Sequence, residues 1–281
     1  MQLDSDGVTT REVLDWKGLH LLHFQASSCS QKVRILLAEK GLDWESHPVD
    51  LIRHENTHPW FVGINPRGVV PVLVHDGVVH IESNDILAYL DALPSEASPF
   101  FPQDAAEGER AKTSLELEDG LHMDLRTITM GFLVPATLAK KPPATLERFA
   151  QAGVEDEKRA IEVRWWRDFA DQGITRQQGR ASGAAFGRAF ETLESWLADG
   201  EWLLGDRLSV LEIAWFISVH RLAGAGYPLE RHPKLAALYA RLLERPAFAR
   251  EVESRGLPGL ALQAYGWFRK LTGTTLREAM R

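Results

Sequence analysis

The run Ser27-Ser28-Cys29-Ser30-Gln31-Lys32-Val33-Arg34 is where a hydroxyl or a thiol of this chain is best placed to do chemistry. It follows a short apolar stretch, LHLLHF (19–24), and leads into Val33, Leu36 and Leu37, which recur with helical spacing up to a stop at Lys40-Gly41. Its polar residues therefore stand at a helix start. Free backbone N–H groups there favour an anion, lower a thiol pKa and stabilise a bound ligand's thiolate. The plainer role of the same serines is to N-cap the helix.

Two further spots join it. In Val69-Val70-Pro71-Val72-Leu73 a proline leads into what reads as a central strand, where it removes a ladder donor. A cis peptide before Pro71 resolves that conflict and turns the Val70 backbone toward an extended peptide ligand; the alternative is an edge strand that begins with proline. Glu82-Ser83 immediately precedes the amphipathic segment NDILAYLDAL. Ser83 at a helix start can hold a carboxylate and Glu82 can pair with an amine, a combination suited to the head of an α-amino acid. As an isolated dipeptide it is equally an ordinary cap.

The elements that must position these residues follow from pattern. Residues 1–18 are polar and without clear periodicity, and read as an extension. LHLLHF is a strand, 28–41 a helix, and DWESHPVDL (43–51) a second strand. VVPVLVHDGVVHI gives two strands joined by a hairpin turn at Asp76-Gly77, and a helix follows from Ser83 to before Pro94. The order β-α-β, then β-β-α, predicts a thioredoxin-like α+β domain over 19–93. A linker rich in proline and acidic residues (94–107) leads into 108–281, an all-helical part. Helical spacing covers 108–130, 155–172, 183–198, 209–223 and 233–244, with Pro246 and Pro258 as breaks. Residues 133–182, with Lys140-Lys141-Pro142-Pro143 and ITRQQGRASG, read as an enlarged connection. In LLGDRLSVLEIAW (203–215), Ser209 and Glu212 form a capping box, with Leu208 and Ile213 as its staple.

Composition limits the function. The chain has 281 residues, 44% hydrophobic and 25% charged, and a net charge of −7 from 32 Lys+Arg against 39 Asp+Glu. Those proportions are globular, and the missing basic run argues against nucleic acid as partner. One cysteine suits a reducing compartment, no signal-like N-terminus or membrane-length apolar run is present, and a cytoplasmic location is expected. The ten histidines lack a metal-ligand spacing, so no metal is expected.

In their order, SSCSQKVRILLAEKGL, INPRGVVPVL, the Glu82-Ser83 pair and GDRLSVLEIA resemble the cytosolic glutathione transferases over roughly residues 19–255. The first motif is similar to that of the zeta class and shares its frame with the tau class. The resemblance implies glutathione as co-substrate, no membrane partner and a homodimer. It implies glutathione contacts from Ser28, His58, Val70, Pro71, Glu82 and Ser83. In the zeta and tau classes the first serine, here Ser27, activates the glutathione sulfur. Tetrachlorohydroquinone dehalogenases carry a reactive cysteine that falls on Cys29, so both residues stand as catalytic candidates. The lysine that tau members place near the glycyl carboxylate is missing from His54-Glu55-Asn56-Thr57-His58-Pro59, where His58, His54 or Arg67 could replace it.

The helical part should then form a pocket for an apolar, aromatic electrophile. Its lining candidates are Phe132, Trp165, Trp166 and Trp267, with Leu121, Met123, Leu133, Tyr265, Phe268, Arg126 and Arg164 behind them. Conjugation, dehalogenation, isomerisation and the aryl-ether cleavage of bacterial etherase relatives all remain open. The competing readings are a binding or scaffold protein that keeps the fold, and a Cys29-based thiol oxidoreductase, which the missing CxxC disfavours.

Overall fold

The computed structural model describes residues 1–151, 157–198, 200–253 and 256–281. They divide into two compact units, one of residues 1–98 with 140–171 and one of 99–139 with 172–281.

In the first unit β1 (Leu19–His23), α1 (Ser28–Lys40), β2 (Glu45–Pro48), α2 (Pro59–Val62), β3 (Val72–His75), β4 (Val78–His80) and α3 (Ser83–Asp91) follow the expected order. The sheet runs β2-β1-β3-β4, with β1 and β2 parallel and the other pairs antiparallel. Asp76 and Gly77 have φ of 49° and 81°, the left-handed pair that a two-residue hairpin needs. Gly41 closes α1 with φ 63°. One face of the sheet packs Leu22, Val72 and Val74 against Phe61, Ile64 and Val49. Between α1 and α3, the Lys40 amine donates to the Asp91 carbonyl at 2.6 Å and pairs with its carboxylate, both side chains buried.

Residues 1–18 are more than an extension. The Met1 amine donates to the Ile81 carbonyl, the Leu3 N–H to that of Val79, and Val8 and Val13 are fully buried in the same core. Two isolated valines, one just after the first 3-10 turn and one within the second, leave no periodic trace, which is why the sequence reads as patternless there.

The enlarged connection also differs from its reading. Residues 140–171 carry α7 (Pro143–Gln151) and α8 (Glu157–Gln172) and belong to the first unit, although the sequence groups them with the helical part. The sequence places the start of this helix at 155, which lies outside the described residues. A buried arginine explains the attachment: Arg159 donates to the carbonyls of Pro66, Arg67 and Phe149, and its guanidinium lies 4.5 Å from the Phe149 ring centre.

The second unit is helical: α4 (Ala105–Gly120), α5 (His122–Ile128), a π-helical turn at Thr129–Leu133, α6 (Ala136–Ala139), α9 (Arg176–Trp196), α10 (Val210–Ala225), α11 (Pro233–Leu243), α12 (Pro246–Val252), α13 (Gly256–Leu271) and α14 (Leu276–Ala279). Helix α9 starts well before residue 183, at a Thr175–Gln178 capping box inside ITRQQGRASG. Its glycines are contact points. A Cβ at Gly179 would come 2.6 Å from the Phe132 ring, and one at Gly183 would come 2.8 Å from the Met280 sulfur. Pro246 and Pro258, read as breaks, lie in the first turns of α12 and α13. Ser182 donates to Asp124 at 2.7 Å and Trp215 to Ser114 at 2.9 Å, tying α9 to α5 and α10 to α4.

Candidate functional site

Strand register brings the three spots together. Leu22 pairs with Val72 and Leu73 with His80, so β1 ends, β3 begins and β4 ends at one edge of the sheet. Ser27, Val70-Pro71 and Glu82-Ser83 are the residues just beyond those three strand ends. Two helices, α1 and α3, point their N-termini out of that edge.

Ser27 is the N-cap of α1. Its backbone is extended, and its side-chain oxygen accepts from the Ser30 N–H at 3.3 Å. The cap uses the hydroxyl as acceptor, which leaves the O–H as the group able to donate outward. No acidic residue occupies the first turn of α1, so the helix supplies no anion to its own N-terminus. Ser28 and Cys29 are the first two helical residues, both partly exposed. Residues two apart on a helix do not share a face, so Ser27 and Cys29 do not address the same point.

The Val70–Pro71 peptide is cis, and Pro71 leads into the central strand β3, as read from the sequence. Upstream, Asn65 folds the loop, donating to the Val69 carbonyl and accepting from the Arg67 N–H. Gly68, at φ 63°, lies against the Asn56 carbonyl, Arg159 and the Phe149 ring. Arg159 thus braces the turn that presents Val70.

Glu82 precedes α3 with φ 66°, a left-handed backbone that is costly for a residue with a Cβ and typical of sites held for function. Its carboxylate is paired with Arg67. The sequence offers the same Arg67 for the glycyl carboxylate. Ser83, half-buried, is the first residue of α3, and its neighbour Asn84 accepts from the buried Lys32 amine at 2.9 Å.

The loop histidines separate. His58 is exposed and caps α2 only through its backbone. His54 has φ 62°, and its Nδ1 lies 3.3 Å from the Lys141 amine. An ammonium only donates, so Nδ1 accepts and the ring is neutral. Burial and the Lys141 charge hold its pKa below the ordinary histidine range, with Arg148 adding to the effect. A lysine therefore stands beside this loop after all, supplied from residue 141 rather than from the loop itself. Lys141 also lies 4.6 Å from the Trp166 ring centre. Arg159 and Lys141 could not be found by motif, because each lies more than eighty residues from the loop residues it reaches, Pro66 and Arg67 for one and His54 for the other.

The lining candidates fall in different units. Trp165 and Trp166, half-buried in the first unit, pack on each other and on Phe169. Phe132 and Trp267 are in the second, Phe132 buried beneath Arg269 and Trp267 66% exposed. Among the described residues no helix is long and apolar enough to cross a membrane.

A thioredoxin-like sheet with two helix N-termini beside a cis-proline turn, and a separate helical unit, defines the glutathione transferase architecture. Comparison with known proteins agrees. The family profile "Glutathione S-transferase, N-terminal domain" matches residues 26–93, and "Glutathione S-transferase, C-terminal domain" matches 171–241. Glutathione S-transferase 1 of Dianthus caryophyllus is 45% identical over 86 residues, 31% of this chain and 38% of that protein. Protein LigF of Sphingobium sp. strain SYK-6 is 28% identical over 237 residues, 82% of this chain and 91% of its own. The crystal structure of that beta-etherase superposes with a TM-score of 0.70 at 27% identity, over 84% of this chain and 99% of the other. The probable maleylacetoacetate isomerase of Vibrio cholerae serotype O1 is 28% identical over 82% of this chain and 94% of that protein. The chain belongs to the cytosolic glutathione S-transferase family and is an enzyme of that type. Both matched segments avoid 140–170, the part that carries Lys141 and Arg159.

Proposed function

We propose that the chain binds glutathione at the edge formed by Ser27, Val70-Pro71 and Glu82-Ser83, and directs its thiolate at an apolar aromatic electrophile, with aryl-ether cleavage as the favoured reaction. The observation that carries this reading is Ser27. Its oxygen caps α1 while its O–H remains available, at a helix N-terminus without an acidic residue in its first turn. A free cysteine-type thiol has a pKa of about 8.5. A donated O–H and a helix N-terminus both favour the thiolate, bringing that value toward neutrality.

The other residues orient the tripeptide. The Val70 backbone beside Pro71 aligns its extended chain, and Ser83 with the N-terminus of α3 takes the γ-glutamyl carboxylate. Glu82 takes the amine, with Arg67 fixing the carboxylate that receives it. Ser28 and the exposed His58 flank this course, and Lys141, held beside His54, is the cation assigned to the glycyl end. In ether cleavage the sulfur attacks the carbon bearing the aryloxy group. A C–S bond forms, the C–O bond breaks with its electron pair on oxygen, and the phenolate takes a proton from water, so no oxidant or reductant is needed. Similarity to LigF along nearly its whole length, in sequence and in fold, supports this reaction, and a similarity of equal extent to a probable maleylacetoacetate isomerase supports isomerisation as the second reading. The same reading carries a cytoplasmic homodimer, which light scattering checks.

The test is release of a phenol from β-aryl-ether compounds with glutathione present. Glutathione-dependent phenol release with a stoichiometric thioether product supports the proposal. Glutathione binding without turnover of aryl ethers, aryl halides or other aromatic electrophiles would leave a binding protein instead.

A further inference from the structure

A second cluster lies on the first unit and uses none of the residues above. β1 and β2 run parallel with His20 opposite Glu45 and Leu22 opposite His47, so His20, Glu45 and His47 share one face of the sheet at its β2 edge. The Nδ1 of His20 lies 3.0 Å from the Nε2 of His47, and each is 3.5 Å from a Glu45 carboxylate oxygen. Among the described residues this is the one group of three such side chains with converging ligand atoms. We propose that His20, Glu45 and His47 form a binding site for a zinc-class dication.

The distances suit the ion. Bonds of about 2.0–2.1 Å in tetrahedral geometry set neighbouring ligand atoms about 3.4 Å apart, so the three donors already stand close to three corners of such a polyhedron. The orientation of His20 is also set from behind. Its Nε2 is 2.8 Å from the Lys17 carbonyl, which can only accept, so Nε2 carries the proton and Nδ1 presents a lone pair. Trp16 stacks on the His47 ring at 4.4 Å and lies 4.7 Å from that of His20, shielding both imidazoles from water on one side. Glu45 is exposed and supplies the anionic ligand, which leaves a fourth position open to water or an exogenous donor. The composition is that of imidazole-rich sites for zinc, copper or nickel rather than magnesium or calcium. No local spacing reveals it, because the ligands come from two strands and the shielding indole from the N-terminal residues.

The test strips the full-length protein with a chelator and titrates it with Co²⁺, then Zn²⁺, without glutathione. One equivalent of Co²⁺ with the strong visible absorption of four-coordinate cobalt, displaced by Zn²⁺, is the expected result. His47→Ala should weaken Zn²⁺ binding by more than about 100-fold and Glu45→Gln by about tenfold, while His75→Gln on β3 leaves it unchanged. Where His47→Ala does not fold, the ring ¹⁵N shifts of the wild type decide. Coordination through Nδ1 of His20 and Nε2 of His47 on adding Zn²⁺ supports the site. Unchanged shifts, weak binding at many places, or binding indifferent to both variants overturn it and leave a hydrogen-bonded imidazole pair.

Discussion

Helices α1 and α10 both start on a serine whose side chain caps them, yet the two ends are built for opposite purposes. At α10 the helix provides its own anion. Glu212 is fully buried, accepts from the backbone N–H of Leu203 and Ser209 at 2.6 and 2.8 Å, and accepts from the Ser209 hydroxyl at 2.6 Å. Burial pushes its pKa up, and these bonds oppose that shift. Every strong donor at that end has a partner inside the protein. At α1 the serine caps a first turn without acid, and the end sits at the sheet edge where a cis-proline turn and a second helix start converge. A closed N-terminus is a structural joint, and on the proposed reading the α1 end receives the anion of a ligand.

The sharpest way to break this contrast is to open the closed end. Glu212→Ala leaves two buried N–H groups and a hydroxyl without their acceptor, and should cost about 3 kcal/mol in denaturant unfolding while the thiol pKa of bound glutathione stays put. Ser27→Ala is the reciprocal change. Loss of one donor to a developing thiolate should lower kcat/KM by about 100-fold, while losing the cap costs only about 1 kcal/mol of stability. Acid should act on both units alike. Burial lowers His23, His80 and His220 to about 4, with Arg34, the N-terminal amine and Arg221 the respective largest charge contributions. The unfolded chain takes up those protons near pH 6.5, so stability is complete above that value and falls as the pH drops toward 4. Denaturation midpoints measured across pH 4.5–7.5 check this. The smallest effect belongs to Lys141→Met, which should raise KM for glutathione about threefold with kcat nearly unchanged, as expected of a partly solvated ion pair.

The open end could be read from sequence and its supports could not. SSCS, VVP and ES each sit where a strand hands over to a turn or helix, so local chemistry and local structure name the same residues. The hairpin at Asp76-Gly77 and the box at Ser209 and Glu212 are legible for the same reason. Arg159 and Lys141 are different. They reach the loop from a segment that reads as a long connection, and only the folded chain shows that a buried guanidinium holding three carbonyls attaches α7 and α8 to the first unit. The sequence reads helix α9 as starting only at 183 because of its glycines, which propensity counts as breakers and packing uses as seats for Phe132 and Met280. Periodicity marks Trp165, Trp166 and Phe132 as apolar positions without saying which neighbour each will meet.

The most direct test of the central claim is the ultraviolet absorbance of the glutathione thiolate, followed against pH in complexes of wild type, Ser27→Ala and Cys29→Ser. The account predicts a thiolate that persists toward neutral pH in wild type and Cys29→Ser and disappears in Ser27→Ala. A signal lost only in Cys29→Ser, or unchanged in all three proteins, would contradict it.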